Sequence, residues 1–477
     1  MTRRTLLLSA ATALALAAAP SALADSDLYV GVTVLDPEAE TRTPDTWLLV
    51  EDGLIAAIGA GAPPPDVVAN EIHDLAGLYA LPGLIDTHAH LTLGPVSVGA
   101  DASGPYMDAS SNPDIAAHNA RLLLAYGVTT VRNPGGDVEG SRDYARRLGD
   151  GEIVGPEMLF AGPVIDRAPL PLRGLADIPT PERGVGDIAR EHAAAGVDYI
   201  KLYMRLSEAD VAEGIEAAHA AGLPVIAHLD DVSWMTAARL GVDALVHMMP
   251  TSPDLLPADA REAYAATARG GPFDFYEWYE AADLDAPAIA EMLASLEERR
   301  IHLDATLIVF EPAFWSDDPA VRDRDIALAH PVMLENWRTV MNYELIYTPD
   351  DFARAKAVWP KLLELTRRAW EAGVPMTIGT DLGNPYVAPG VSMSREMALH
   401  VEAGVPAWAV LRMATSDAAD ILGIGERTGR IAEGKEADVA FLAADPSADV
   451  ANAARVRAIL NNGALLQAAD LIRGTTP

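Results

Sequence analysis

The chain has 477 residues, half of them hydrophobic, with 35 basic residues against 69 acidic ones and a formal net charge of −34. That length exceeds what a single core usually fills, so one large domain with a smaller companion is expected. A surface this acidic repels nucleic acid and anionic membranes, and with no cysteine any metal must be held by nitrogen and oxygen donors rather than thiolates.

The first 24 residues read as a signal peptide. A basic start (Arg3, Arg4) leads into an Ala/Leu run over 5–19 and a small-x-small site, Ala22-Leu23-Ala24. The run is too short for a good membrane span. Residues 2–8 also resemble a twin-arginine signal. The expectation is an exported protein, periplasmic or secreted, with no membrane anchor; homo-oligomerisation is left open.

Residues 28–35, 47–51 and 54–58 read as short strands, with Asp52-Gly53 as a hairpin turn. Similar strands return at 438–442 and 457–460, beside the turn Asn461-Asn462-Gly463. Neither piece buries a core alone, so 25–80 and 425–477 are expected to form one composite β-sandwich. Between them, residues 81–424 alternate strand and helix. After the run that starts at 81, strands are expected at 127–132, 158–164, 197–203, 223–228 and 242–247, with a seventh at 301–310 and an eighth at 374–380. Helices are expected at 141–148, 187–195, 207–221 and 233–240, the third capped by Ser207 and Asp210. Eight such units point to a closed (β/α)8 TIM-like barrel. Two helical, aromatic-rich insertions, at 251–300 and 311–372, either pack on themselves or form a lid over the site.

Chemistry enters where the strands end. In the stretch from Leu81 to Leu91, an apolar run finishes in Asp86-Thr87-His88-Ala89-His90. Alternation along a strand would place His88 and His90 on one side, where both reach the same metal ion. Later strand ends carry Lys201, His228, His247 and Asp381. Any one of these is more often a satisfied core residue. Six together at the ends of apolar strands point to a metal site at a barrel mouth. The seven other histidines fall in loops, helices or a strand start and read as non-ligands.

These segments, with Gly127–Arg132, Asp198–Tyr203, Gly379-Thr380-Asp381 and the stretch 414–439, resemble the amidohydrolase superfamily. Within it they are similar to binuclear imidazolonepropionase-like proteins and Xaa-Pro dipeptidase-like peptidases. The chain departs from that pattern at Asn133, where aspartate is expected, and in the aromatic insertions. The resemblance implies two divalent ions, zinc being the expected metal. His88, His90 and Asp381 would hold the first and His228 and His247 the second, with a carboxylated Lys201 bridging them. It implies further that a water between the ions is ionised and that Asp381 is the catalytic proton acceptor. Tyr203, Arg205 and Arg132 are candidates for binding the oxyanion or a substrate carboxylate.

The implied activity is hydrolysis of a C–N amide bond, in a dipeptide or an N-acyl amino acid. The alternatives are opening of a cyclic amide, as imidazolonepropionases do, and a non-catalytic ligand-binding protein on the same scaffold. Lys201 favours the two-metal peptidase side, since true imidazolonepropionases resemble a one-metal pattern without it.

Overall fold

The computed structural model describes residues 26–102, 104–167 and 172–474; the expected signal peptide lies outside them. Eight short parallel strands form the barrel: Leu84–Asp86, Val128–Asn133, Glu157–Phe160, Ile200–Leu202, Val225–Ala227, Ala244–Val246, His302–Asp304 and Met376–Thr377. Each pairs in parallel with the next through most of the ring. The third and fourth join by a parallel bridge between Ala161 and Tyr199. Closure from eighth to first runs through Thr87 N–H donating to Ile378 O at 3.0 Å and a bridge between Ala89 and Leu382. Nearly every barrel residue is buried, as strands covered on both faces require.

Both termini build the small domain. Its strands run in the order Ala464–Gln467, Val456–Asn461, Val439–Leu442, Tyr79–Pro82, Ser26–Asp36, Thr41–Glu51 and Leu54–Ala60, with Glu71–Asp74 also paired to Ser26–Asp36. Tyr29, Leu48 and Ile55 from the front of the chain share one core with Val439, Phe441 and Leu460 from the back. Neither set could bury its apolar face without the other.

Local signals hold where expected. Ser207 caps the helix Glu208–Ala220, and Asp210 completes a capping box. The 23-residue helix Pro349–Glu371 starts from Thr348 and Asp351 in the same way. The seventh strand differs from expectation: only His302–Asp304 is extended, and Thr306 turns through φ +45° into the helix Leu307–Trp315. A ten-residue apolar run is ambiguous by periodicity alone. Here the choice is made by the Glu396 carboxylate, which accepts from Leu307 N–H (2.9 Å) and Ile308 N–H (2.6 Å). The sequence reading also passed over the hairpin of Ser97–Asp101 and Gly104–Asp108, inserted after the first barrel strand. Among the described residues, no helix is long and apolar enough to cross a membrane.

Candidate metal centre

His88, His90, Lys201, His228, His247 and Asp381 all line one cavity of about 350 Å³ at the C-terminal mouth of the barrel. Donor atoms of His88, His247 and Asp381 lie within 4.8 Å of one another. Asp381 Oδ1 is 3.6 Å from His88 Nε2 and 3.4 Å from His90 Nε2, and Oδ2 is 3.6 Å from His247 Nδ1. The His228 ring meets that of His247 edge-on at 4.5 Å between centroids. Among the described residues, no other histidine lines this cavity.

Burial sets the protonation of the cluster. It lowers the pKa of all four imidazoles, His90 to about 4 and His228 to about 3, so each is neutral near pH 7 and able to donate a lone pair. Burial also pulls the Lys201 ammonium far below the usual lysine range, while it pushes Asp381 up against the opposing pull of Lys201. Lys201 Nζ, Asp381 Oδ1 and both ring nitrogens of His228 are buried without a hydrogen-bond partner. Unsatisfied polar atoms at this depth are costly. Divalent cations would satisfy these donors, so the donor set fits metal.

An outer ring of residues holds the imidazoles in place. Asp304 Oδ2 lies 3.2 Å from His88 Nδ1, the carbonyl of Gly135 accepts from His90 Nδ1 at 2.8 Å, and Thr306 Oγ1 lies 2.7 Å from His247 Nδ1. Partners of this kind fix the tautomer that leaves the opposite nitrogen free. Asn133, where aspartate was expected, is fully buried; its side-chain oxygen accepts from Gly135 N–H at 3.4 Å, steadying the loop that orients His90. Asp86 accepts from Thr380 Oγ1–H (2.6 Å) and from the backbone N–H of His88 and Thr380, clamping the first strand end to the eighth. A side chain at Gly379 would collide with Asp304 and His88. His247, Thr306 and Asp381 all have positive φ, backbone strain of a kind that concentrates at functional sites.

The expected substrate contacts divide. Tyr203 lines the cavity, its ring edge-on to His228 at 4.9 Å. Arg132 lies fully buried beneath the ligands, donating to Thr87 O at 2.6 Å and reaching Asp304 at 3.5 Å. It does not face the cavity, so it supports ligands rather than contacting substrate. Arg205 sits beside the cavity, 3.5 Å from Asp231, and is not part of the lining. Within the aromatic insertions, Trp278 and Tyr279 are buried and bond backbone carbonyls, while Phe275 and Tyr343 line the cavity. Sequence reasoning missed Asp86, Asp304 and Thr306. Asp86 and Asp304 did leave a signal, as carboxylates within or ending apolar strands.

The profile described as "Amidohydrolase family" matches residues 79–465. The imidazolonepropionase of Methylobacterium sp. (strain 4-46) is 31% identical over 269 residues, covering 48% of this chain and 67% of that protein. A solved Xaa-Pro dipeptidase with bound methionine superposes with a TM-score of 0.66 at 19% identity, over 93% of this chain and 100% of that one. Bottromycin amidohydrolase superposes with a TM-score of 0.70 at 23% identity, over 94% and 91%. At these identities the superpositions speak to the fold.

Proposed function

Because the chain belongs to the amidohydrolase family, a metal-dependent group of hydrolases acting on carbon–nitrogen bonds, we propose that it cleaves the linear amide bond of a small peptide or acyl amide using two divalent ions, zinc the preferred metal. The carrying observation is the set of unpartnered buried donors on Lys201, His228 and Asp381. His88, His90 and Asp381 would hold one ion and His228 and His247 the other. Lys201, its ammonium destabilised by burial, would be carboxylated by CO2 and bridge them. Bound there, the cations supply Lewis acidity and acidify water.

The chain's own residues do the rest. Asp381 takes the proton of the attacking water and delivers it to the leaving nitrogen, a role open to a carboxylate that faces His88, His90 and His247 at the barrel mouth. Burial and nearby carboxylates keep the Tyr203 phenol protonated, so it donates toward the carbonyl oxygen. Asp304, Gly135 and Thr306 keep the imidazoles from rotating away.

The 31% relationship to an imidazolonepropionase supports a second reading, opening of a cyclic amide, which Lys201 disfavours. Residues 1–24 support export. The test is metal counting, together with turnover of a panel of dipeptides, N-acyl amino acids, amino-acid anilides and cyclic amides. Two ions per chain and cleavage of linear amides are expected, with activity lost on chelation and restored by zinc. Asp381→Asn should lose at least about a hundredfold in kcat while keeping its circular dichroism. One ion per chain, or cleavage of cyclic amides alone, would replace this reading with the second.

A further inference from the structure

Resting on the reading of the site as a linear amide hydrolase, the cavity walls narrow the substrate class. Met204, Met249, Phe275, Val309, Phe310 and Met341 are among the apolar residues that line the cavity. The polar remainder is almost all acidic or neutral. Asp230, Asp274, Asn342 and Asn384 line the cavity beside the ligands, and Lys201 is the only basic residue other than histidine in the described lining. The undescribed stretch 168–171 carries no basic side chain. The Arg205 guanidinium, outside the lining, lies 3.5 Å from Asp231 and its charge also reaches Asp230 and Asp274, while its backbone N–H donates to Asp166 at 2.8 Å. Arg269 is taken by Glu277 at 2.6 Å and Asp351 at 2.7 Å.

Within this wall one acceptor stands open. Asp230 is 8% exposed; its Oδ1 accepts from Thr251 Oγ1–H at 2.9 Å, and its Oδ2 is buried without a partner. Asp274 is buried in the same lining, and its carboxyl is pushed up to about 7 by burial and by the charge of Asp230, with Arg205 pulling the other way. An unpartnered carboxylate oxygen beside a second buried carboxylate in one largely apolar wall is a place that favours a cation. Asp230 Oδ1 lies only 3.8 Å from His228 Nε2, so a cation held there is about one residue from a carbonyl at the metal centre.

We propose that Asp230 and Asp274 receive the free α-ammonium of the residue that supplies the scissile carbonyl, with its large apolar side chain packed against Met204, Met249, Phe275 and Phe310. The substrate class is then an apolar aminoacyl amide or peptide with a free amino terminus. N-acyl amino acids, which present a carboxylate and no amine, are disfavoured.

The experiment compares phenylalanine p-nitroanilide with its N-acetyl derivative on the zinc-loaded protein. The free amine should be preferred at least tenfold in kcat/KM, and Asp274→Asn should bring the ratio near one. Equal rates in the wild type, or an unchanged preference in the variant, would overturn the assignment. Calorimetry with 2-phenylethylamine and 3-phenylpropanoate reads recognition without turnover. The amine should bind at least tenfold more tightly, and the reverse order also overturns the assignment. Amine binding that Asp274→Asn abolishes, in a protein that hydrolyses no amide, keeps this assignment and removes the amidase reading. Amide hydrolysis indifferent to the amine does the opposite.

Discussion

Asp304 decides more at this site than its distance from substrate suggests. Fully buried on the seventh barrel strand, it lies against His88 and Arg132 and accepts from Thr87 Oγ1–H at 3.3 Å. Its carboxyl is pushed up to about 6 by burial, with Arg132 pulling the other way. Removing it would free the His88 ring to rotate and leave Arg132 buried without its carboxylate. Asp304→Asn is therefore expected to weaken zinc binding by about 10- to 100-fold, read by competition with a chromogenic chelator. Unchanged affinity would show that His88 needs no such support.

Among the elements, the helix Leu307–Trp315 draws its start from a distant residue. Its entire first turn is buried, and a helix start there leaves N–H groups without partners. Glu396, on the helix Val391–Glu402, accepts two of them, although burial pushes its carboxyl well up from the usual range. Glu396→Ala should cost about 2–4 kcal/mol, since two buried donors would each lose about 1–2 kcal/mol. Thermal melting checks this, and a change below about 0.5 kcal/mol would mean that water replaces the carboxylate. The same helix carries Val309 and Phe310 into the cavity, so KM for apolar substrates is expected to rise in the variant.

For the molecule as a whole, the join between barrel and terminal sheet carries a pH dependence. Asp438, beside the strand Val439–Leu442, accepts from Asn462 N–H at 2.8 Å and from Thr428 Oγ1–H at 3.3 Å. Burial, with Glu436 and Glu157 nearby, pushes its carboxyl up to about 6. The folded pKa lies above the unfolded value of about 4, so the fold binds the extra proton between those values. Stability from this group is present at low pH and is lost as pH rises from about 4 through 6. By pH 7 the loss is on the order of 2–3 kcal/mol. Asp438→Asn keeps an acceptor for Asn462 and should flatten that part of the Tm-versus-pH curve; an unchanged slope would assign it elsewhere. With a net charge of −34, self-repulsion should also make Tm rise as sodium chloride goes from about 10 mM to 1 M, by screening.

Much of this was legible in the chain because its signals are local. The 2-residue and 3.6-residue periods, the Ser207 cap and the histidines at strand ends each act within a turn or a strand, so barrel and ligand set could be read in order. What the tertiary structure decided were the long-range pairings. Asp86 meets Thr380 and Arg132 meets Asp304 across 294 and 172 residues, and Glu396 turns an apolar run into helix from 89 residues away. The positions of Asp230 and Asp274 in the cavity wall belong to the same class. A carboxylate's role depends on which donors and cations fold against it, and no local pattern records that.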